Sequence, residues 1–499
     1  QDHEELGAVL ASLRAGNPTA RMVIGGPICW SFDQAGDIAR LAPWDHVVIG
    51  DGEGIIADLL AAIRASRPLD HLIRVERRFD IALAKPLYWP LVDATWQSYY
   101  GAVLEVSRGC PFLCEFCDIR ILPDNNRPHN KPVDTIMAEI DHLAALGVNR
   151  FLLACDNFIG EPRWAESLVD AILAWRGRTG RNPTFYTWLT INLYKMPWLL
   201  RKLRQANFDA IFIGVESFNA NSLLETAKVQ NAAAEIVEAV RLIQSYGFPV
   251  IAGLIFGFDS DTSESFDQTL DGIAEAGLLS GDPSLLTALP GTPLYQRMKA
   301  AGRLRDVRYG LGGYKYRTNI RYLLPRDAII SGYIAFNRRF SGGRYQFRRL
   351  RAFFDNLDRG NYIPITGDGY ISYSGALRIV LKDAASARQL VRRLTVFSWP
   401  LSNWYWLLRA VAMVAGRRRI IGRFGYLKVW FTLWTNVLLR YADISERDFD
   451  IDSVADGFDL RSVLPGDYID ASLDNKTRAQ RRLTAGSLEG LVRRSETGE

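Results

Sequence analysis

The chain has 499 residues, too many for one compact domain, so two or three domains are expected. Hydrophobic residues make up 48% and charged residues 23%, as in an ordinary folded protein, and a net charge of only +5 argues against a dedicated nucleic-acid binder. Three of the five cysteines fall within eight positions, which excludes the disulfide framework of a small secreted domain and indicates a metal site in a reducing cytoplasm.

The first seventy residues alternate between helical and strand patterns. Helices are predicted at 4–14, 33–41 and 55–64, and strands at 21–26 and 46–54. This alternation predicts a parallel sheet covered by helices, so residues 1–70 are assigned to a doubly wound, Rossmann-like domain. Because the chain opens at Gln1 inside such a pattern, we expect that an N-terminal portion of this domain is missing.

Residues 71–98 contain several prolines and are predicted to be a linker, and residues 99–305 form the next domain. Six apolar strands are predicted there, at 102–106, 150–155, 184–190, 209–214, 249–256 and 284–288. Helical patterns separate them near 133–147, 163–177, 197–206, 231–247 and 263–277. The sequence therefore predicts a partial (βα)6 barrel, with its chemistry at the carboxyl ends of the strands.

The C-terminal third departs from this pattern. Residues 306–465 are predicted to be mostly helical, and residues 466–499 form a polar tail. Two apolar stretches, 394–415 and 420–440, are interrupted by cations and fit helices lying in a membrane interface better than helices spanning a bilayer. The alternative is a pair of buried helices that cover the mouth of the barrel.

The cysteines form one motif directly after the first barrel strand. Cys110, Cys114 and Cys117 are spaced so that a short loop can place a thiolate on each of three corners of an iron–sulfur cubane. The fourth iron then stays free to bind a chelating substrate. Zinc is the alternative metal, but it needs a fourth ligand, which Cys155 or His129 could supply.

This motif, with an aromatic residue before its third cysteine, resembles the radical S-adenosylmethionine (SAM) superfamily. The resemblance implies a [4Fe–4S] cluster on the three cysteines, and SAM bound beside Phe116 and the ends of the barrel strands. Further SAM contacts are expected from polar and glycine residues at those strand ends: Asp156, Asn157, Thr190, Asn192, Gly214, Glu216 and Ser217. The alternatives are local: Glu216 or Asn192 capping the next helix, and Asp156 accepting hydrogen bonds from backbone donors.

The segment before the barrel resembles the back half of a cobalamin-binding domain. The turns after its strands, Gly25-Gly26-Pro27 and Gly50-Asp51-Gly52-Glu53, are predicted to approach the cofactor, with contacts from Gly25, Gly26, Gly50, Gly52 and Glu53. No Asp-x-His-x-x-Gly segment is present, so the lower cobalt ligand stays unassigned. Together with SRGCPFLCEFCD, DNFIG, IGVES, GFDSD and ALPGTPLY, this resembles the cobalamin-binding radical SAM subgroup that includes the hopanoid methylases.

The resemblance implies cobalamin-dependent methylation of an unactivated carbon in a small-molecule or lipid substrate, initiated by a 5′-deoxyadenosyl radical. Two alternatives remain: a radical SAM oxidative cyclase or hydroxylating enzyme of the tetrapyrrole type, and a non-catalytic cobalamin or iron–sulfur sensor. An electron donor such as flavodoxin or ferredoxin is expected as a partner, and nucleic acid is not. We expect a cytoplasmic location, with contact to the inner face of the membrane.

Overall fold

The computed structural model describes residues 3–99, 101–122, 124–226, 228, 231, 235–307, 316–366, 384–459 and 463. The predicted polar tail, 466–499, lies outside the described residues. Three parts of the fold can be distinguished along the chain: a small parallel sheet, a larger parallel sheet and a group of helices.

The N-terminal part is a three-stranded parallel sheet with helices between its strands. Its elements are α1 (His3–Gly16), β1 (Val23–Ile24), α2 (Pro27–Ala35), β2 (His46–Ile49), α3 (Ile56–Arg64) and β3 (Leu72–Arg74), and the strand order is β1-β2-β3. Cys29, Phe32 and Val47 are fully buried in its core. The predicted parallel sheet with helices between its strands is therefore present.

Two elements differ from the sequence-based assignment. Helix α2 begins at Pro27, a favoured first helical residue, and ends at Gly36 in the left-handed conformation, whereas a helix was predicted at 33–41. Strand β3 lies in the stretch predicted to be a linker, since three residues between polar flanks show no alternating pattern. It is followed by α4 (Trp89–Thr95).

The central part is a six-stranded sheet whose strands are all parallel. The strands are β4 (Ala102–Glu105), β7 (Arg150–Ala154), β8 (Thr184–Leu189), β9 (Phe208–Glu216), β10 (Val250–Phe256) and β11 (Ser280–Leu285), and they neighbour one another in that order. A short antiparallel pair, β5 (Ser107–Arg108) with β6 (His129–Asn130), follows β4. The helices are α5 (Val133–Ala145), α6 (Pro162–Thr179), α7 (Pro197–Gln205), α8 (Ala220–Glu225), α9 (Ile236–Ser245), α10 (Ser265–Ala276) and α11 (Pro293–Ala300). The predicted partial (βα)6 barrel is confirmed.

The C-terminal part adds a small sheet and five helices among the described residues. They are β12 (Arg317–Tyr322), α12 (Arg326–Ser341), α13 (Gly343–Leu357), α14 (Ala384–Ser398), α15 (Ser402–Gly416), α16 (Arg423–Tyr441) and β13 (Asp450–Ser453), with β12 parallel to β13. Phe353, Phe397, Trp430 and Trp434 are buried in a second apolar core between these helices. Among the described helices, none is both long enough and apolar enough to cross a bilayer.

These helices do not lie over the mouth of the barrel. Helix α13 packs on the outer helices α9 and α10, and α15 packs on α13. The Tyr426 hydroxyl, on α16, donates a hydrogen bond of 2.7 Å to the carbonyl oxygen of Gly247, which precedes the amino end of β10. The alternative of a helical cover over the barrel mouth is therefore wrong, because this contact is at the edge opposite the carboxyl ends of the strands.

Candidate active site

The cysteine loop is closed at its base by the β5–β6 pair, in which Arg108 lies opposite His129. The amide of Cys110 donates to the carbonyl oxygen of Asn125 at 2.9 Å, which folds the loop back on itself. Gly109 has φ +93°, and a Cβ at this position would lie 2.1 Å from the carbonyl oxygen of Arg127. Only glycine fits here, because the backbone of the loop passes directly over it.

The side chains of Cys110, Cys114 and Cys117 are buried or half-buried, and burial disfavours an ionised thiol that has no cationic partner. Burial raises the pKa of the Cys110 thiol to about 11 and raises that of Cys117 further. Thiolates are the form that binds metal, so a cationic partner is needed to hold these side chains ionised. The donor set therefore fits a thiolate-ligated cluster, whose iron atoms supply that charge.

Zinc is not supported by the residues proposed to complete its site. The His129 ring contacts the carbonyl oxygen of Asp124 at 2.8 Å, and the Cys155 thiol lies 3.4 Å from the Thr187 hydroxyl. Within the described part of the chain, no three His, Cys, Asp or Glu side chains converge on a position for a single metal ion. A cubane distributes its thiolates over separate iron atoms and does not require such convergence.

Asp156 and Asn157, which follow β7, both contact the cysteine loop. Asp156 Oδ2 accepts a hydrogen bond of 2.6 Å from the amide of Gly109, and Asn157 Nδ2 donates to Cys110 Sγ at 3.8 Å. Burial raises the pKa of the Asp156 carboxyl. Asp156 therefore accepts a hydrogen bond from a backbone amide, as the alternative assignment stated. The donor, Gly109, belongs to the cysteine loop.

Glu216, at the end of β9, forms a buried ion pair that the sequence did not reveal. Its Oε1 lies 2.8 Å from Lys228 Nζ, and the ammonium lies 5.7 Å from the centre of the Phe116 ring. Burial lowers the pKa of Lys228, but Glu216 and Cys114 outweigh it and the net shift is upward, so the lysine is charged. This cation is therefore fixed between Glu216, Phe116 and the cysteine loop.

The backbone at the end of β9 is shaped for this ion pair. Glu216 has φ +66°, and a Cβ on Gly214 would lie 2.3 Å from Glu216 Oε1. Because residue 214 has no side chain, the Glu216 carboxylate can occupy the space beside it. The alternative that Glu216 caps the next helix is wrong, because Asn219 caps α8 by accepting from the amide of Asn221.

The other predicted strand-end residues are buried near the carboxyl ends of β8 and β9. The Thr190 hydroxyl is buried and has no hydrogen-bond partner among the described residues, so a bound ligand could satisfy it. Asn192 is buried inside a 3-10 turn that begins after Thr190, and α7 begins after Met196, so the alternative that Asn192 caps the next helix is wrong. Ser217 Oγ accepts from the amide of Asn219 at 3.0 Å.

A buried charge network ties the cysteine loop to the far side of the barrel. The Arg297 guanidinium, on α11, donates two hydrogen bonds of 3.0 Å to the Glu115 carboxylate and one of 2.5 Å to Asp259. Arg303 adds hydrogen bonds of 2.7 and 2.9 Å to Asp259. Sequence reasoning missed this network, although Asp259 and the start of α11 lie in motifs that it singled out.

A cavity of about 360 Å³ separates the N-terminal sheet from the cysteine loop. Its lining includes Gly26, Gly50, Gly52 and Glu53 from the predicted cobalamin turns, and Arg108, Asn125 and Asp156 from the barrel side. Arg108 spans the two sides through a 2.5 Å contact with Glu53. Gly25 is not part of the lining, because it lies against Val48 of the neighbouring strand.

The size and position of this cavity suit part of a flat cofactor. Its volume is within the range of about 300–1,000 Å³ that is typical of small-molecule sites. Gly50 has φ +106°, and a Cβ there would lie 2.4 Å from the carbonyl oxygen of Val75, so the turn depends on glycine. A complete cobalamin exceeds this volume, so the cavity would hold only part of one.

A second cavity, of about 400 Å³, lies at the opposite edge of the barrel. Its lining includes Val92, Trp96, Gly101 and Val148, near the amino ends of β4 and β7. Parallel-sheet enzymes place their chemistry at the carboxyl ends, so we assign no cofactor to this second cavity.

Comparison with known proteins identifies the domain that carries the cysteines. Residues 104–273, which contain the cysteine loop and strands β7 to β10, match the family described as the Radical SAM superfamily. Residues 104–273 form a radical SAM domain. The cofactors of this superfamily are a [4Fe–4S] cluster and SAM, which agrees with the thiolate set described above.

Curated relatives of this chain include two methyltransferases. It is 31% identical to the hopanoid C-2 methylase of Rhodopseudomonas palustris (strain TIE-1) over 292 residues, which cover 58% of this chain and 54% of the relative. It is 28% identical to an uncharacterized methyltransferase of Synechocystis sp. (strain ATCC 27184 / PCC 6803 / Kazusa) over 334 residues, 66% of this chain and 61% of the relative. The chain thus spans little more than half the length of the curated relatives that it matches.

A solved structure resembles this chain over almost its whole length. The cobalamin-dependent SAM radical enzyme OxsB, with aqua-cobalamin bound, superimposes with a TM-score of 0.53 at 14% sequence identity. The match covers 96% of this chain and 73% of that one. This likeness concerns the fold, and it confirms the predicted fold class.

The Lys228–Glu216 pair allows a test of the SAM side of the site. We expect Lys228→Met to lower the thermal unfolding midpoint, because Glu216 would be left as a buried charge without its partner. We also expect it to weaken SAM binding by about tenfold, equivalent to the loss of about 1.4 kcal/mol. Differential scanning calorimetry and equilibrium dialysis with labelled SAM would measure the two effects on reconstituted protein.

A double variant separates the effect on stability from the effect on SAM binding. Glu216→Gln together with Lys228→Met removes the uncompensated charge, so it should recover much of the lost stability but not the affinity for SAM. Lys202→Met, which breaks a partly exposed ion pair with Glu166, is the matched control and should change neither property. SAM binding at the unaltered affinity in Lys228→Met would show that this cation does not serve the cofactor.

Proposed function

We propose that this radical SAM protein is a cobalamin-dependent methylase that acts on an unactivated carbon of a hydrophobic substrate. The observation that carries the proposal is the cavity between the glycine turns of the N-terminal sheet and the cysteine loop, with Asp156 lining it and bonding Gly109. It provides a position for a second cofactor next to the cluster site. The hopanoid C-2 methylase relative favours a hydrophobic methyl acceptor.

In this proposal Cys110, Cys114 and Cys117 are the cluster ligands. When bound, the cluster would supply the electron for cleavage of SAM to methionine and a 5′-deoxyadenosyl radical, which would take a hydrogen atom from the substrate. Asn157 holds Cys110 in place through its 3.8 Å contact, and the Glu115–Arg297 pair fixes the loop from the other side. Lys228 and Thr190 are assigned to SAM, as a cation and a free hydroxyl, beside Phe116.

The N-terminal turns are assigned to cobalamin, which when bound supplies the methyl group. Gly26, Gly50 and Gly52 let the backbone approach the cofactor, and Arg108 holds Glu53 against the barrel. We propose no lower axial ligand from this chain. A flavodoxin or ferredoxin in the cytoplasm is proposed as the electron donor, in keeping with a reducing compartment in which the described cysteines form no disulfide.

The products distinguish methylation from its alternatives. We expect the reduced, reconstituted chain with cobalamin, methyl-labelled SAM and a lipid extract to form S-adenosylhomocysteine and 5′-deoxyadenosine in equal amounts, with label in a lipid. Chromatography of the nucleosides and mass spectrometry of the lipids would measure both. Relatives named as anaerobic magnesium-protoporphyrin IX monomethyl ester cyclases are also found, so the cyclase outcome is a real alternative.

Each competing function predicts a different result. A cyclase or hydroxylating enzyme would form 5′-deoxyadenosine without S-adenosylhomocysteine. A sensor would form neither nucleoside. The matched control is the same incubation with Gly50→Val, which should still cleave SAM but should bind less cobalamin, because the new side chain would meet the backbone at Val75.

A further inference from the structure

The C-terminal helices expose an apolar surface on α15, which packs on α13. It consists of the loop between α14 and α15 and one face of α15, and we call it the apolar ridge: Trp399, Leu401, Trp404, Tyr405, Leu408 and Val411. Trp399 is 76% exposed, Leu401 68% and Leu408 67%. Positions 401, 404, 408 and 411 follow the helical repeat, so these side chains lie along one face of α15.

The opposite face of α15 is an ordinary protein interface. Asn403, Ala410 and Val414 are buried, and the helix packs on α13. Helix α15 is therefore held firmly with its ridge turned outward. Contiguous exposed apolar side chains of this kind usually mark a binding surface rather than a random part of the exterior.

The sequence around the ridge carries an excess of positive charge, which favours an anionic binding partner. From Ala384 to Ala442 the sequence contains ten Arg and Lys residues and no Asp or Glu. Arg418 and Arg419, just beyond the end of α15, are exposed, whereas Arg417 is paired with Asp355 and Asp358. A positively charged margin around an apolar strip complements a surface that is both apolar and anionic.

Arg409 shows how a cation fits within the ridge. Its guanidinium lies 5.8 Å from the Tyr405 ring and 5.5 Å from the Trp406 ring. Aromatic rings combined with arginine are typical of the boundary between lipid headgroups and acyl chains, where each side chain has an apolar body and a polar end. A protein partner would not require this combination along the whole ridge.

We propose that the apolar ridge binds the surface of a membrane that contains anionic lipids, with α15 lying in the plane of the interface. The loop at Trp399 and Leu401 would enter the headgroup layer, and Arg418 and Arg419 would contact lipid phosphates. Because α15 packs on α13, which in turn packs on the outer helices α9 and α10, the ridge does not line the cysteine site. The contact therefore holds the protein on the membrane, and it does not depend on the proposed methylation.

Vesicle flotation tests this proposal with the full chain. We expect binding to vesicles of phosphatidylcholine with phosphatidylglycerol, weaker binding to phosphatidylcholine alone, and loss of binding as the salt concentration rises. Trp399→Ser with Leu401→Ser should reduce binding to both kinds of vesicle. Arg418→Glu with Arg419→Glu should lower the partition coefficient for anionic vesicles by at least about tenfold.

Matched variants elsewhere on the surface serve as controls. Leu83 and Leu91 are 71% and 60% exposed, so Leu83→Ser with Leu91→Ser removes comparable apolar surface. Arg64→Glu with Arg67→Glu reverses two exposed arginines, and neither pair should change binding. Absence of vesicle binding would overturn the proposal. A concentration-dependent dimer that Leu401→Ser dissociates would also overturn it, because the ridge would then be an interface between two copies of the chain.

Discussion

Replacing Cys114 by alanine will leave the protein without a [4Fe–4S] cluster and without SAM cleavage. Removing one of three thiolates leaves a second iron without a protein ligand, and the remaining two cysteines cannot hold the cubane. After anaerobic reconstitution, the broad absorption near ~420 nm that is typical of thiolate-ligated clusters should be lost. Bound iron and sulfide should fall with it, and 5′-deoxyadenosine should not form.

Cys155→Ala is the matched control for this variant. Cys155 is also buried and also follows a barrel strand, but its thiol contacts Thr187 and burial raises its pKa to about 12. We expect the control to keep the cluster and SAM cleavage at the unaltered level. A Cys114→Ala protein with intact cluster absorption and full turnover would contradict the assignment of the three cysteines.

The strands of the barrel could be predicted from sequence wherever they form short, mostly apolar runs between helical patterns. The segments AVLE, RFLLA and VIAGLIF are examples, and each of these strands was predicted to within two residues. The sixth strand was predicted at 284–288 but spans Ser280–Leu285. It begins with polar residues and contains Pro283, which is tolerated because β11 is an edge strand of the sheet.

The ion pairs of the site could not be predicted, because their members are far apart in sequence. Glu115 and Arg297 are 182 positions apart, and a charge pattern gives no indication of which acid meets which base. Lys228 lies outside every motif, and its role follows only from its position beside Glu216. Cysteine spacing is local, so the cluster site was recognisable, whereas the residues that surround it depend on the fold.

The N-terminal turns also combine a feature that the sequence could predict with one that depends on the fold. Gly50 could be recognised as part of a ligand-binding turn because glycine is required where the backbone is crowded or left-handed. Arg108 and Asp156 face these turns across a cavity. This arrangement follows from the packing of two domains, and no local sequence pattern describes it. Gly25 fits the same sequence pattern as Gly26 but lies against a neighbouring strand.

Replacing Arg297 by methionine will destabilise the protein more than any other single change in the charge network. Arg297 neutralises two buried carboxylates, Glu115 and Asp259, and methionine would leave both without this partner. Removing one partner of a buried pair costs about 3–5 kcal/mol, which lowers the thermal midpoint of a domain of this size by about 10 °C. Differential scanning calorimetry would measure the shift.

Arg297→Met should also bind less of the [4Fe–4S] cluster. Glu115 lies between Cys114 and Cys117, so release of its carboxylate from Arg297 frees the middle of the cysteine loop. Arg326→Met removes an arginine whose ion pair with Asp327 is exposed and should change the midpoint by no more than about 2 °C, since such pairs contribute about 0–1 kcal/mol. If Arg297→Met kept both the midpoint and the iron content of the unaltered protein, the network would not be what holds the loop in place.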